Sequence, residues 1–411
     1  MLEHMFLGST FVPRWNSVFW FDVGIQSIAA TPTGNILVVG TSSDKMFLAK
    51  LTLEGAIEWQ RTLDTASASV NDIGYGVTSD AGGNVYVTGQ ANVTGTASYI
   101  AIAKYNGSGT LQWQRSLKGT NNESGNKIAA DSSGNVYSLG MTISQGAGNA
   151  DAYLFKYDSA GALQWQRSLG DASGNFGLGL ALDSSANIYV AGYTAYTAPT
   201  PSTAFVAKYD ASGAMQWQRK LSSGSSTSGY GIASDASGNS YVITVAGTAY
   251  VIAKYDASGA IQWQRLLSVS SSGGTPSICL SNSGDVFIAA TAGGANLEAV
   301  VAKYDASGAI QWQRKLGTNV IGGFNGIADC GDGTIAVASP TTGNFVVRLP
   351  QDGSGLGTIG SYTYAASTFS ESAGTLTDAA STLTDAARTL TDAVGTLKDA
   401  AGTSTTTVTQ L

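Results

Sequence analysis

The segment Ala302-Lys-Tyr-Asp-Ala-Ser-Gly-Ala-Ile-Gln-Trp-Gln-Arg-Lys-Leu316 recurs six times with small changes. Its tryptophans, Trp59, Trp113, Trp165, Trp217, Trp263 and Trp312, stand 54, 52, 52, 46 and 49 residues apart. A period of roughly 40–55 residues, dense in short strand-like runs and turn residues, is the signature of a propeller. A motif that returns in every unit reports how the units stack. It carries little information about what the molecule binds.

Each repeat divides into four strand-like runs. In the fourth copy they are 230–235, 240–245, 249–254 and 260–265, joined by Asp-Ala-Ser-Gly turns in which Asp and Ser cap and Gly supplies positive φ. Four short strands per unit make a propeller blade. The second strand recurs seven times, near Leu37, Tyr86, Tyr137, Tyr189, Tyr241, Phe287 and Ala336. The third also recurs seven times, ending at Lys50, Lys104, Lys156, Lys208, Lys254, Lys303 and Arg348, but the Trp-Gln-Arg strand occurs six times. The expectation is an all-β, seven-bladed propeller whose missing outer strand comes from Ser17-Val-Phe-Trp-Phe-Asp-Val23, with Trp20 as its tryptophan. Joining both chain ends in one blade shuts the ring and removes exposed edges. The rival closure uses 356–362.

Composition narrows the function classes. Charged residues are 12% of the chain, net charge is −7 and glycines number 52, which fits a turn-dense β protein and not a nucleic-acid groove built from clustered Lys and Arg. The single histidine, His4, lies in the N-terminal arm, which argues against His-based catalysis or His-ligated metal. Cys279 and Cys330 fall two positions out of register between repeats and read as separate small buried residues. No run approaches 18 apolar residues, so no membrane insertion is expected. The first residues lack a basic stretch followed by an apolar one and do not read as a signal peptide.

At this point the chain resembles the seven-bladed β-propeller repeat family, through Gly-Asn-Val-Tyr-Val-x-Gly and Ala-Lys-Tyr-Asp-x-x-Gly…Trp, over about residues 17–355. Repeats ending in Ile-Gln-Trp-Gln-Arg look like those of bacteriophage tail-associated virion proteins. The resemblance implies a virion component assembled in the host cytoplasm, with other tail proteins as partners. Asp305-x-x-Gly308-x-x-x-Trp312 is also similar to the tryptophan-docking motif of quinoprotein propellers. Those enzymes carry eight blades and acidic metal ligands in the channel, a set not found in this sequence.

Several motifs admit two readings. Alternation puts Ile261, Trp263, Arg265 and Leu267 on one face. Recurrence in every blade favours core packing for the tryptophans over sugar binding. Arg265 then lies over an aromatic ring or pairs with a turn such as Asp256. The Asp131, Asp183 and Asp235 turns lack the oxygen density of calcium loops and read as capped β-turns. Inner strands such as Gly74-Tyr-Gly76, Gly177-Leu-Gly179 and Gly229-Tyr-Gly231 fit close approach around an axis, and no acid–base pair or nucleophile stands out. No catalytic residue, metal or cofactor is expected, and the chain reads as non-enzymatic.

Recognition is placed on loops. Connections between strands one and two, and three and four, are short and uniform. Those between strands two and three and between blades vary widely and fall on one face, where recognition usually resides. Tyr193, Tyr196, Asn121 and Asn122 are the candidate binding residues there, suited to a host surface glycan or receptor or to protein contacts. The rival readings are a bacterial surface adhesin or lectin and a propeller enzyme.

After 360 the composition shifts. Leu376, Leu383, Leu390 and Leu397 are seven apart, and Ala373, Ala380, Ala387, Val394 and Ala401 follow four residues after Phe369 and each of these leucines. A seven-residue apolar repeat is a helical seam. Thr375, Thr382, Thr389 and Thr396 weaken intrinsic helicity, so the helix would need a partner. The expected organisation is an N-terminal arm over 1–16, a propeller over 17–360 and, over 361–411, a helical stalk for self-association or docking that ends in a flexible segment.

Overall fold

The computed structural model describes residues 18–401 except 22, 65–70, 93–96, 146–148, 196–200, 269–274, 294–297, 317–323, 340–343, 360–361, 367–369, 374–376, 381–383, 388–390 and 395–397. These residues form seven antiparallel sheets, the blades of a propeller. Blades 1 to 7 are built on 24–64, 73–118, 123–170, 175–222, 227–268, 277–316 and 326–350. Within each blade the strands run outward in chain order.

Turn chemistry sets the strand register. Asp131 Oδ1 accepts from the Ser133 and Asn135 amides at 2.9 and 3.0 Å, and Gly134 takes φ 76°. Asp131 Oδ2 accepts from Asn135 Nδ2 and the Tyr137 hydroxyl. Every carboxylate oxygen is thus engaged by the turn itself, which is the capped-turn reading. Asp183 and Asp235 repeat the arrangement.

The core lies between blades, on the second and third strands. In blade 4, Tyr189, Val206 and Trp217 pack against Val242, Val251 and Tyr255 of blade 5. Trp217 is the centre of a staple. Its indole N–H donates to Ala257 O of the next blade at 3.1 Å, and Arg219 Nε donates to Gly259 O at 2.8 Å. The guanidinium carbon lies 5.8 Å from the Trp217 ring centroid. Lys208 donates to the same Ala257 carbonyl and covers the Tyr189 ring. Gly259 has φ 80°, and a Cβ there would lie 2.7 Å from Trp217 Cδ2. Trp59, Trp113, Trp165, Trp263 and Trp312 donate across their own junctions in the same way. The tryptophans are therefore packing residues. Each arginine binds a glycine carbonyl, and Arg61, Arg115, Arg219, Arg265 and Arg314 also cover a ring; Arg265, for one, donates to Gly308 O at 2.6 Å.

The N-terminal strand closes the ring. Val18–Trp20 pairs antiparallel with Phe345–Pro350, with Phe19 opposite Val346 as Arg219 is opposite Val206. Gly357–Ile359 joins blade 6 instead, through Tyr362–Ala366. The docking residue is Phe19, a correction to the expectation of Trp20: the fully buried Phe19 ring occupies the space over Gly55 of blade 1 that a Cβ would need. Arg348 replaces the recurrent lysine, donating to Leu53 O at 2.7 Å and pairing with Asp332 at 2.6 Å.

The described residues of 362–401 are strand and not helix. Tyr362–Ala366, Ser370–Ala373, Thr377–Ala380, Thr384–Ala387, Thr391–Val394 and Lys398–Ala401 each add an outer strand, to blades 6, 5, 4, 3, 2 and 1 in turn. The register repeats: Arg314, Arg265, Arg219, Arg167, Arg115 and Arg61 pair with residues 366, 373, 380, 387, 394 and 401. The seven-residue period is thus one step per blade. As a helix, seven residues advance about 10 Å. Sheets pack about 10 Å apart face to face and splay further toward the rim of a ring, so only an extended step, up to about 25 Å, spans the gap. The expected seam residues Leu376, Leu383, Leu390 and Leu397 lie outside the described residues.

Candidate functional site

The innermost strands carry a repeated irregularity. Blades 1 to 5 each hold a bulge, at Gln26, Tyr75, Asn126, Leu178 and Tyr230. A bulge inserts one unpaired residue and re-aims its side chain. All five of these residues, with Pro276 and Asn325 from blades 6 and 7, line one cavity of about 480 Å³. With a contributor from every blade, the cavity lies on the propeller axis.

The next residue in each blade explains the narrowness. Opposite Val39, Thr88, Leu139, Ala191, Ile243, Ala289 and Ala338 stand Ser27, Gly76, Lys127, Gly179, Gly231, Ser277 and Gly326. A Cβ on Gly76 would come within 3.1 Å of Lys127 Cα, and one on Gly179 within 3.0 Å of Ile232 N. Neighbouring backbones leave no room there, and six blades use Gly or Ser. Blade 3 alone places a long cation in this ring.

Lys127 is half-buried, and desolvation by burial pushes its pKa below the ordinary lysine range. Among the described residues no hydrogen bond or ion pair engages the amine, and no carboxylate lines the cavity. The other polar walls are Gln26, Gln90, Ser124, Asn126, Asn325 and the hydroxyls of Tyr75 and Tyr230. Burial raises the Tyr75 pKa, and burial followed by the nearby Tyr193 raises that of Tyr230, so both phenols remain neutral donors. Asn325 donates to Ile25 O and Gln26 O at 3.0 and 3.1 Å, leaving a buried Oδ1 without a partner.

Gln90 and Met141 in the lining are penultimate residues of second strands. The cavity therefore opens on the face of the variable strand two–three connections. Inter-blade connections meet it there too, through bonds such as Glu123 N to Ser98 O and Thr227 N to Ser202 O.

The sequence candidates fall around this face and not at one point. Tyr193 occupies the second-strand position of Gln90 and Met141, half-buried and stacked on Phe176 at 5.2 Å. Asn122 Oδ1 accepts from the Ser98 amide at 3.0 Å, so this carboxamide braces the loop. Exposed Asn121 is held through its backbone to Ser144 Oγ. Tyr196 lies outside the described residues. Lys127, Asn126, Tyr75 and Tyr230 were not singled out by sequence. The signal was present: aligned inner strands show a lone lysine among glycines and serines.

The opposite end of the axis is chemically quieter. A second cavity there is lined by Asp80, Cys279, Asp329 and Cys330. Both thiols are free. Burial pushes Cys279 well up, with Asp329 and Cys330 adding to it, and pushes Cys330 up to about 11. Asp80 is held by Asn84 and Tyr86. Among the described residues no group of three or more His, Cys, Asp or Glu is placed to hold a metal ion, and no helix is long and apolar enough to cross a membrane.

Comparison with known proteins places the repeats. A profile of the PQQ_2 family, described as outer membrane protein assembly factor BamB, matches residues 202–395, less than half of the chain. No curated protein matches it in sequence. Among solved structures, puromycin hydrolase in an S511A mutant complex is 15% identical with a TM-score of 0.49, over 84% of this chain and 54% of its own. The chain thus spans about half the length of that enzyme. The Dos1 propeller is 10% identical with a TM-score of 0.48, over 81% and 94%. A glucose dehydrogenase is 12% identical with a TM-score of 0.43, over 66% and 96%. At such identities the likeness is one of fold.

Residues 202–395 carry repeats similar to this type, and the described residues form a seven-bladed propeller. The expectation of a non-enzymatic chain is overturned by the comparison: a hydrolase and a dehydrogenase are among the similar propellers, so the fold gives no ground for excluding catalysis. A tricarboxylate quinone of the quinoprotein kind does not fit the axial cavity. Three carboxylates call for several cationic partners, and among the described residues Lys127 is the one cation in the lining.

Proposed function

We propose that this propeller is a recognition component of a bacteriophage particle, tail-associated, which turns its cavity-bearing face toward a polar ligand on the host surface. The observation that carries the reading is the axial cavity. It joins an unpaired cation, neutral amides and phenols on the face where connection length varies most. A rigid ring holding variable connections suits recognition. The repeats ending in Ile-Gln-Trp-Gln-Arg support the virion setting through their resemblance to tail-associated proteins. Other virion proteins are the proposed assembly partners.

Two measurements test the reading. Mass spectrometry of purified particles should find the chain, and labelled antibody should place it on the tail. Excess purified chain added to host cells should compete with particle adsorption. A chain absent from particles, or adsorption unchanged at saturating chain, would refute it.

A further inference from the structure

We infer that the axial cavity is a binding site for a small acidic sugar, a molecule with one carboxylate on a polyhydroxylated ring, whose carboxylate is held by Lys127. The argument begins with the lysine. An ammonium taken from water and left without a counter-charge is costly, and a fold retains one where something else supplies the charge. Six blades solve the same packing problem with Gly or Ser, so packing does not require the lysine. Among the described residues no carboxylate lines the cavity to neutralise it. The missing charge therefore belongs to a ligand, and a single cation matches a single anion.

The remaining walls select among anions. Gln26, Gln90 and Asn126 offer carboxamides, and Tyr75 and Tyr230 offer ring faces with hydroxyls. Carboxamides both donate and accept, as sugar hydroxyls do, and phenol rings cover the apolar C–H faces of a pyranose. About 480 Å³ lies within the range of small-molecule sites and holds one or two sugar rings. This inference rests on the proposed recognition role and gives it a ligand class.

Titration calorimetry on the full chain, with D-glucuronate, D-glucose, acetate and inorganic phosphate as probes, tests it. Glucuronate should bind at least tenfold more tightly than glucose or acetate. Lys127→Met keeps the stem and removes the charge, and should weaken glucuronate at least tenfold while leaving the melting temperature unchanged or raised, since a desolvated charge is gone. Tyr230→Ala provides a second variant that should weaken glucuronate without touching the cation. Silence with glucuronate, or equal binding by Lys127→Met, overturns the site. Phosphate binding as tightly as glucuronate overturns the sugar assignment. If glucuronate binds yet excess chain leaves particle adsorption unchanged, the site stands and the virion reading falls. The reverse pattern rejects the site and leaves that reading standing.

Discussion

Gly259→Ala measures the staple between blades. Two costs add at this position. An L-residue held at φ 80° is strained by roughly 1–2 kcal/mol. The new Cβ would also lie 2.7, 2.9 and 3.0 Å from Trp217 Cδ2, Cγ and Cε2, and the indole is held by its bond to Ala257 O. Overpacking of that kind costs about 1–3 kcal/mol. Gly224 separates the two, because it has φ 76° and an added methyl there would meet nothing within 4 Å. Gly224→Ala should therefore show the backbone cost alone. The unfolded-state gain from replacing glycine is common to both and cancels in the difference. Urea unfolding followed by tryptophan fluorescence should put Gly259→Ala below Gly224→Ala by about 1–3 kcal/mol at unchanged slope. In a Trp217→Leu background the gap should shrink to about 0.5 kcal/mol or less. Equal midpoints for the two alanine variants in the native background would refute the seating of the indole on Gly259.

Other expectations follow from the closure, the charge pair and the outer strands. Phe19→Ala should cost about 3–5 kcal/mol, the loss of a buried aromatic, measured by the same urea titration. Arg348→Met removes the buried guanidinium that bonds Leu53 O, Thr334 and the exposed Asp332, and should destabilise by about 1–3 kcal/mol in thermal and urea melts. Although burial alone would raise Asp332, the Thr334 hydroxyl and Arg348 hold its carboxyl below the usual range. Its contribution is therefore full above the ordinary value of about 3.9 and lost as pH falls through the lower folded value, so Asp332→Asn should flatten the stability curve below about pH 4. Ending the chain at 360 should keep the propeller but expose the outer strands. Hydrogen exchange should then lose protection at Arg219–Ser222, which pair with 377–380.

Repetition made the fold legible. Seven second strands against six Trp-Gln-Arg strands identified the closing strand, because a ring has no spare edge. Trp20 matches the docking tryptophans by residue type, whereas the ring seated over Gly55 is that of Phe19, which stands in the register of the recurrent arginine. The tail was misread because a period of seven serves two geometries, two turns of a helix or one blade-to-blade step. Its threonines and glycines favoured the extended form, and the six outer strands equal the Trp-Gln-Arg strands in number. The axial site was hidden for a different reason. Bulges depend on pairing between strands, so Asn126 and Tyr230 look like ordinary members of an alternating run until the register is known.

The outer strands run against the order of synthesis. Lys398–Ala401, the last of these strands to be made, covers blade 1, whose strands precede those of blades 2 to 6, and Arg61 waits for Ala401 across 340 positions (401 − 61). No blade edge from 1 to 6 is sealed until the strands of all seven blades have been made. Such distant pairing is slow to form, and the edges left open meanwhile are templates for other strands. The ring is thus tied off in reverse blade order, blade 6 first and blade 1 last. A chain ended at 360 would hold its blades and axial cavity yet remain adhesive along its rim.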